Sequence, residues 1–365
     1  MVTRATEPEK ESAPRQRPET DPTTLRASVI RRLTKKIGVE GRVRLPAVPR
    51  LLDVYVEKLR KIFASFGRIF TDEEIENLRA ILETKLNEGF AVSPYAHVIV
   101  RYKSEDPPKI GIQYWISSEI STIEDQYADW VKTRTPPLFG KHPDTKVMDL
   151  ARSLGAPADV PVLDIGAGTG RNTLPLARAG FPTDAVELSP DLAAILKRDA
   201  ESEGLGVTLF RGDVLDDGLE LPKERYRLVI LCEVVSHFRA VSELRKLFER
   251  ANELLVPGGL LAFSVFLPVS GYQPDELARE LAQVFWCSLF SRDDLKGASA
   301  GLGLSLLSEE SVFEYERKNL PPSAWPPTGW FEEWTRGLDL FRLPVGKAPI
   351  DMRWVVFRKN AKPPT

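Results

Sequence analysis

One short segment of the sequence combines a carboxylate with three closely spaced glycines. The carboxylate is Asp164, which ends an apolar stretch. The glycines are Gly166, Gly168 and Gly170. Glycine adopts backbone angles that other residues avoid, and it lets the main chain approach a ligand where a Cβ would collide. An amphipathic helix is then predicted, with Leu174, Leu176 and Ala177 on its apolar positions and with free N–H groups at its start. We therefore predict a strand, a ligand-binding loop and a helix.

The ligand of such a loop could be NAD, FAD or S-adenosylmethionine (SAM). The spacing here is G-x-G-x-G, whereas dinucleotide sites use G-x-G-x-x-G. Asp164 directly precedes the loop, where a carboxylate suits the ammonium group of SAM and would repel a pyrophosphate. Glu187 ends the next predicted strand and could accept hydrogen bonds from ribose hydroxyls, a feature that NAD sites share. The first two features favour SAM.

Further polar residues follow the third and fourth predicted strands. Asp213 could accept a hydrogen bond from an adenine amino group, and Val214 offers an apolar edge and a main-chain N–H. Glu233 and His237 come after the fourth strand, and ligands bind at the carboxyl ends of strands in open α/β sheets. His237 could take a proton from an N, O or C nucleophile, or it could only close over the cofactor.

The elements that must position these residues alternate between short apolar strands and amphipathic helices. The predicted strands are Val160–Asp164, Thr183–Glu187, Val207–Arg211, Arg227–Cys232 and Leu260–Phe266, with two more at Ser305–Glu316 and Met352–Arg358. This alternation is typical of a Rossmann-like α/β fold, in which a mostly parallel sheet is covered on both faces.

Residues before this pattern divide into two predicted regions. Residues 1–45 are rich in Pro, Glu, Thr and Arg, which predicts a largely disordered tail with a short basic helix near its end. Residues 46–135 predict an N-terminal α+β appendage with two helices and a hairpin, the second helix capped by Thr71. Residues 136–360 would form the α/β domain, with an aromatic, Pro-rich insertion at 318–350.

Five segments in register resemble the class I SAM-dependent methyltransferases. They read VLDIGAGTGR, AVELSPDLAAILK, LFRGDV, LVILCEVVSHF and LLVPGGLLAFSV, and they look most like the small-molecule type-11/type-12, TehB-like branch. The resemblance implies a SAM cofactor, methyl transfer, and a seven-stranded sheet whose last strand is antiparallel. The predicted cofactor contacts are Asp164, Gly166, Ala167, Gly168, Gly170, Glu187, Leu188, Asp213, Val214 and Glu233.

The methyl acceptor is predicted only as a class. His142, just before the α/β domain, and Trp330 and Trp334, in the aromatic insertion, are candidate substrate contacts, although a linking loop and ordinary packing explain them too. His237 is the candidate catalytic residue. We expect a small or medium-sized acceptor. A protein or peptide acceptor, or SAM binding without catalysis, stays open.

The composition limits which other partners and locations we expect for the protein. The formal net charge is −2, which offers no general attraction to nucleic acid. No apolar run is long enough to span a bilayer, and no secretory signal is apparent. The two cysteines and three histidines are scattered, which predicts no metal site. We expect a cytoplasmic protein.

Overall fold

A computed structural model describes residues 18–34, 38–66, 68–104 and 112–361 of the chain. The predicted disorder of residues 1–17 lies outside these ranges. The described part opens with helix α1 (Pro22–Thr34), in the place of the predicted basic helix. Its large apolar side chains, among them Val29 and Leu33, are mostly exposed to solvent. Helix α1 therefore adds little to the core.

The N-terminal region is built on a three-stranded antiparallel sheet of order β1-β2-β3. Its strands are β1 (Glu40–Pro46), β2 (His97–Ser104) and β3 (Ile112–Glu119). Strand β1 pairs with β2 along its whole length, so the prediction that disorder extends to residue 45 was wrong. The strand has little apolar content of its own, and its pairing with β2 is what orders it.

Two helices cover one face of this sheet. They are α2 (Leu52–Ser65) and α3 (Asp72–Val92), and α4 (Ile123–Thr133) follows β3. The start of α3 is the predicted one: the Thr71 hydroxyl accepts from the Glu74 N–H, and the Glu74 carboxylate accepts from the Thr71 N–H. Apolar side chains of both helices, including Leu59 and Leu82, are fully buried against the strands.

The second sheet has seven strands in the order β6-β5-β4-β7-β8-β10-β9. The strands are β4 (Val162–Ile165), β5 (Thr183–Glu187), β6 (Val207–Arg211), β7 (Tyr226–Leu231), β8 (Leu255–Pro268), β9 (Leu304–Ser311) and β10 (Ile350–Lys359). Strands β4 to β8 pair in parallel, whereas β10 is antiparallel to both β8 and β9. The predicted Rossmann-like sheet with an antiparallel last strand is confirmed.

One predicted strand was too long. Strand β9 ends at Ser311, and the residues expected to extend it to Glu316 belong to helix α11 (Val312–Asn319). The Ser311 hydroxyl accepts from the Glu314 N–H and caps this helix. A cap of this kind starts a helix even after a residue pattern that resembles a strand.

Helices lie on both faces of the large sheet. They are α5 (Thr145–Ser153), α6 (Thr173–Arg178), α7 (Pro190–Ser202), α8 (Val241–Leu254), α9 (Glu276–Val284), α10 (Arg292–Ser299), α11 and α12 (Phe331–Thr335). Apolar clusters fill the space on each side, one around Phe248 and Phe263 and the other around Trp334 and Trp354. Strand β4 has parallel neighbours on both sides, so the carboxyl ends of β4, β5 and β7 meet at one edge.

The two sheets are joined by polar contacts near that edge. The Arg239 guanidinium, shortly after β7, donates to the main-chain carbonyls of Phe90 and Ala91 at the end of α3. The Arg50 N–H donates to the Glu280 carboxylate over 2.9 Å. Among the described helices, none combines the length and apolar composition needed to cross a bilayer.

Candidate functional site

The predicted glycine loop lies at the carboxyl end of β4, behind a buried carboxylate. Asp164 is 2 % exposed, and its carboxylate accepts a 2.6 Å hydrogen bond from the Thr173 hydroxyl. Burial raises the pKa of Asp164 to about 7. A carboxylate in this environment favours a positively charged partner, because a cation would offset the cost of its desolvation.

Two of the loop glycines are required by close packing. Gly166 has φ +71°, and a Cβ there would lie 2.3 Å from Cγ2 of Val234. Gly170 has φ +93°, and a Cβ would lie 2.6 Å from Cδ1 of Leu196. Gly170 therefore fits the loop against α7, whereas Gly166 brings the main chain to the edge of a cavity.

Glu187 holds the loop from the neighbouring strand. Its carboxylate accepts from the N–H groups of Gly168, over 2.7 Å, and Ser189, over 2.8 Å. The residue is 4 % exposed, and burial raises the pKa of its carboxyl group. The next residue, Leu188, is partly exposed beside it. Strands β4 and β5 thus present two carboxylates to one space.

That space is a cavity of about 250 Å³, here called the loop cavity. Nine of the ten predicted cofactor contacts line it: Asp164, Gly166, Ala167, Gly168, Glu187, Leu188, Asp213, Val214 and Glu233. Gly170, the tenth, does not line it. Val214 is buried, whereas Asp213 is exposed at the rim and accepts from the Leu215 N–H over 2.8 Å.

Glu233 is fixed by an ion-pair network that sequence analysis missed. Its carboxylate accepts from Arg171 over 2.7 Å, and Arg171 also donates to Asp144 over 2.9 Å. Asn172 donates to the other oxygen of Asp144. Burial raises the pKa of Glu233, and Arg171 opposes that rise. Arg171 directly follows the glycine loop, and this position was the available signal.

A second cavity, of about 340 Å³, adjoins the loop cavity. Seven aromatic residues line it, and we call it the aromatic chamber: Tyr127, Trp130, Phe139, Phe285, Trp286, Trp330 and Trp334. Four residues line both cavities, namely Tyr127, Phe139, Glu233 and His237. Ligands bound in the two cavities would therefore meet at these side chains.

His237 lies at this junction with a tyrosine on each ring nitrogen. The Tyr95 hydroxyl is 3.0 Å from Nδ1, and the Tyr127 hydroxyl is 3.3 Å from Nε2. Burial lowers the pKa of His237 to about 4, so the ring is neutral near pH 7. A neutral imidazole donates through one nitrogen and accepts through the other, so one tyrosine donates to the ring and the other accepts from it.

The chamber has a rigid aromatic side. The rings of Trp130 and Trp286 stack with centroids 4.6 Å apart and planes 11° apart. Trp286 has φ +60°, and its carbonyl accepts from the indole N–H of Trp334 over 3.2 Å. Glu233, on the opposite side, has φ +64°. Strained backbone of this kind collects at functional sites, where surrounding packing maintains it.

The three predicted substrate contacts do not all share one cavity. Trp330 and Trp334 line the aromatic chamber, with centroids 5.3 Å apart. Trp334 is also largely buried against Phe266, so much of it serves the core. His142 lies elsewhere, in an open cleft that Trp330 also lines.

Most residues of the aromatic chamber were not predicted from the sequence. The missed chamber residues come from the N-terminal region, the segment after it and the loop after α9, and they are Tyr127, Trp130, Phe139, Phe285 and Trp286. Tyr95, which contacts His237, was missed as well. Only their number near the predicted domain could have drawn attention to them.

Part of the α/β domain matches a known protein family. Residues 162–259 match the sequence model of the family described as "Methyltransferase domain". Residues 162–259 therefore belong to a methyltransferase domain of the class I, SAM-dependent type. SAM is its cofactor, and the seven-stranded sheet is the fold that carries it.

Curated relatives similar to part of this chain include methyltransferases. One is a Geobacillus sp. protein provisionally named a methyltransferase, 32% identical over 33% of this chain and 46% of its own length. The ubiquinone biosynthesis O-methyltransferase of Azorhizobium caulinodans is 32% identical over 31% of this chain and 43% of its own length. The ubiquinone biosynthesis O-methyltransferase of Cereibacter sphaeroides strain ATCC 17029 is 30% identical over 40% of this chain and 62% of its own length. The chain thus spans about half the length of these relatives.

A solved structure shows a distant likeness. Geranyl diphosphate C-methyltransferase from Streptomyces coelicolor has a TM-score of 0.44 and 18% identity, covering 59% of this chain and 80% of that one.

Proposed function

We propose that the chain transfers the methyl group of SAM to a small or medium-sized acceptor bound in the aromatic chamber. The observation that carries this proposal is the shared boundary of the two cavities, formed by Tyr127, Phe139, Glu233 and His237. An aromatic cavity of about 340 Å³ beside the loop cavity suits a small molecule better than an extended peptide.

The residues of the loop cavity fit SAM. Asp164 would accept from the ammonium group, and Glu187 from the ribose hydroxyls. Asp213 would accept from the adenine amino group beside the apolar edge of Val214. Gly166, Ala167 and Gly168 leave room for the nucleoside because they place little side-chain volume in the cavity, and Leu188 would contact it. SAM supplies a methyl group on a positively charged sulfur.

The protein's contribution is alignment and the exclusion of water. The aromatic side chains around Trp130 and Trp286 would hold the acceptor in a dry space. We propose His237 as the catalytic residue that touches the nucleophile, because it lines both cavities. Its imidazole is neutral near pH 7, and Nε2 would exchange its long contact with Tyr127 for a hydrogen bond that orients the nucleophile, while Nδ1 keeps its contact with Tyr95.

Transfer of label from methyl-labelled SAM tests this function. The full chain is incubated with fractionated cell extract, and we expect the label in a small-molecule fraction. Label on protein would instead favour the peptide alternative. Binding of S-adenosylhomocysteine (SAH) without transfer to any fraction would favour a module that binds the cofactor only.

Two variants of His237 test its role once an acceptor fraction is found. His237→Asn keeps a hydrogen-bonding side chain, and we expect kcat within about tenfold of the wild type. His237→Ala removes it, and we expect a loss of about 100-fold. Equal losses in both variants would show that His237 acts by accepting a proton instead.

A further inference from the structure

An open cleft of about 480 Å³ lies beside the aromatic chamber. Residues of two segments, 134–142 and 323–330, line it. Three of them carry basic side chains, Arg134, Lys141 and His142, and no Asp or Glu is found among its described lining residues. We call it the basic cleft. Its charge is unusual for this chain, in which acidic and basic residues are nearly balanced.

The basic cleft is continuous with the chamber. Arg134 and Trp330 line both spaces. The Arg134 guanidinium lies 3.5 Å from the centroid of the Trp130 ring, and Trp130 stacks in turn on Trp286. A ligand that fills the chamber and extends past Arg134 therefore enters the cleft.

The two longest basic side chains of the cleft form no salt bridge within the described parts of the chain. Arg134 and Lys141 are both exposed, and Asp129 is the carboxylate whose charge acts on Arg134. The contrast with Arg171 is clear, because that guanidinium is buried between Asp144 and Glu233. An anion in the cleft could therefore reach Lys141 and the exposed side of Arg134.

The chamber itself has the opposite character. Its only charged side chains besides Arg134, among the described lining residues, are the carboxylates of Glu233 and Asp339. Arg171 pairs with Glu233, so an anionic group in the chamber would be repelled mainly by Asp339, whereas in the basic cleft it would be attracted. The charge pattern therefore orients an acceptor with its anionic end outward.

We infer that the methyl acceptor is an amphipathic anion, with a ring or unsaturated portion in the aromatic chamber and a carboxylate or phosphate in the basic cleft. This inference rests on the proposed function, since it takes the chamber to be the acceptor site. Arg134 and Lys141 would then determine specificity and would take no part in the chemistry.

Matched probes test the inference without knowledge of the acceptor. The probes are naphthalenes that carry, on an alkyl chain, a carboxylate, a phosphate or a neutral carboxamide. Each is titrated into the full chain with SAH present, and quenching of tryptophan fluorescence reports binding in the chamber. We expect either anion to bind about tenfold more tightly than the amide, and the tighter of the two identifies the group.

Variants assign that preference to the cleft. Lys141→Gln should weaken binding of the anionic probes about fivefold and leave the amide unchanged, and Lys141→Arg should restore the wild-type affinity. Lys132→Gln is the control, because Lys132 is exposed on α4 but does not line the cleft. Raising the salt concentration should reduce the preference as well.

The inference is overturned if the amide binds the wild type as tightly as the anions, or if Lys141→Gln and Lys132→Gln behave alike. Calorimetry with SAH alone separates this result from a failure of the proposed function. SAH that binds while the probes show no preference for anions disproves only the acceptor class. SAH that does not bind the full chain disproves the proposed function itself.

Discussion

The loop cavity and the aromatic chamber share four residues but are assembled in different ways. Most of the described residues that line the loop cavity lie between Asp164 and Glu233 in the sequence. The chamber takes rings from residues as far apart as Tyr127 and Trp334, and its histidine is held by Tyr95. One site is thus formed by consecutive strand ends, and the other by packing between distant segments.

The difference shows which kind of site can be predicted from a sequence. Parallel strands place their carboxyl ends together, so residues that follow successive strands must meet. No such rule brings Tyr127 to Trp286. Their contact depends on how α4 and the loop after α9 pack against each other and against His237. Three substitutions test this contrast, beginning with the largest expected effect.

Arg171→Met should destabilise the protein most. The change leaves the carboxylates of Asp144 and Glu233 without their shared cation, and breaking a buried pair costs about 3–5 kcal/mol of the free energy of unfolding. Urea unfolding measures the loss. The control is Arg178→Met, which breaks an exposed pair with Glu203 and should cost less than about 1 kcal/mol. Similar losses in the two variants would show that the network does not hold the loop cavity together.

Asp164→Asn should remove a pH dependence of SAH binding. The pKa of Asp164 is raised to about 7, so its carboxyl is mostly protonated at pH 6 and mostly ionised at pH 8. If the carboxylate receives the ammonium group, SAH affinity of the wild type should rise about tenfold over this range. Calorimetry at several pH values measures it. The Asn variant shares any titration of SAH itself, so only the difference between the two proteins reports on Asp164.

The raised pKa of Asp164 also affects the stability of the folded protein. This effect runs opposite to that on SAH affinity, because it lowers stability as the pH rises. The folded protein holds this proton more tightly than the unfolded chain, so the contribution of Asp164 is fully present below its ordinary pKa of 3.8. It is lost as the pH rises to about 7. A wild-type protein without ligand whose stability gained from this group between pH 4 and pH 7, relative to the Asn variant, would contradict the assignment.

Tyr95→Phe should have the smallest effect. It removes the hydrogen bond to Nδ1 of His237 and should lower the free energy of unfolding by about 1 kcal/mol without changing SAH affinity. Tyr55→Phe is a matched control, because the Tyr55 hydroxyl is buried with no hydrogen-bond partner among the described residues. That change should be neutral or slightly stabilising. A clear loss of SAH affinity in Tyr95→Phe would mean that the two cavities are less separate than their assembly suggests.

Local signals explain what the sequence revealed about the fold. Thr71 and Glu74 mark the start of α3 because a capping box depends on neighbours three residues apart. Strand β1 could not be predicted in the same way, since its order comes from pairing with β2, about fifty residues away. The end of β9 at Ser311 was missed because a strand-like pattern continued past a capping serine.

The same distinction holds for the site. Glu233 was predicted from its place after the fourth strand. Its ion pair with Arg171 was not predicted, because the pair forms only when β4 and β7 lie side by side. Gly170 was assigned to the ligand, whereas the structure places it against α7. A glycine motif does not reveal which of its members faces the ligand and which faces a neighbouring helix.

The two tyrosines on His237 have an evolutionary consequence. Both come from residues that precede the α/β domain, and the Arg239 guanidinium ties that domain to the end of α3. On the proposed function, exchange of the N-terminal region, or drift within it, would reshape the acceptor site while the loop cavity stayed the same. Innovation in substrate range and conservation of cofactor use can thus proceed in separate stretches of one gene.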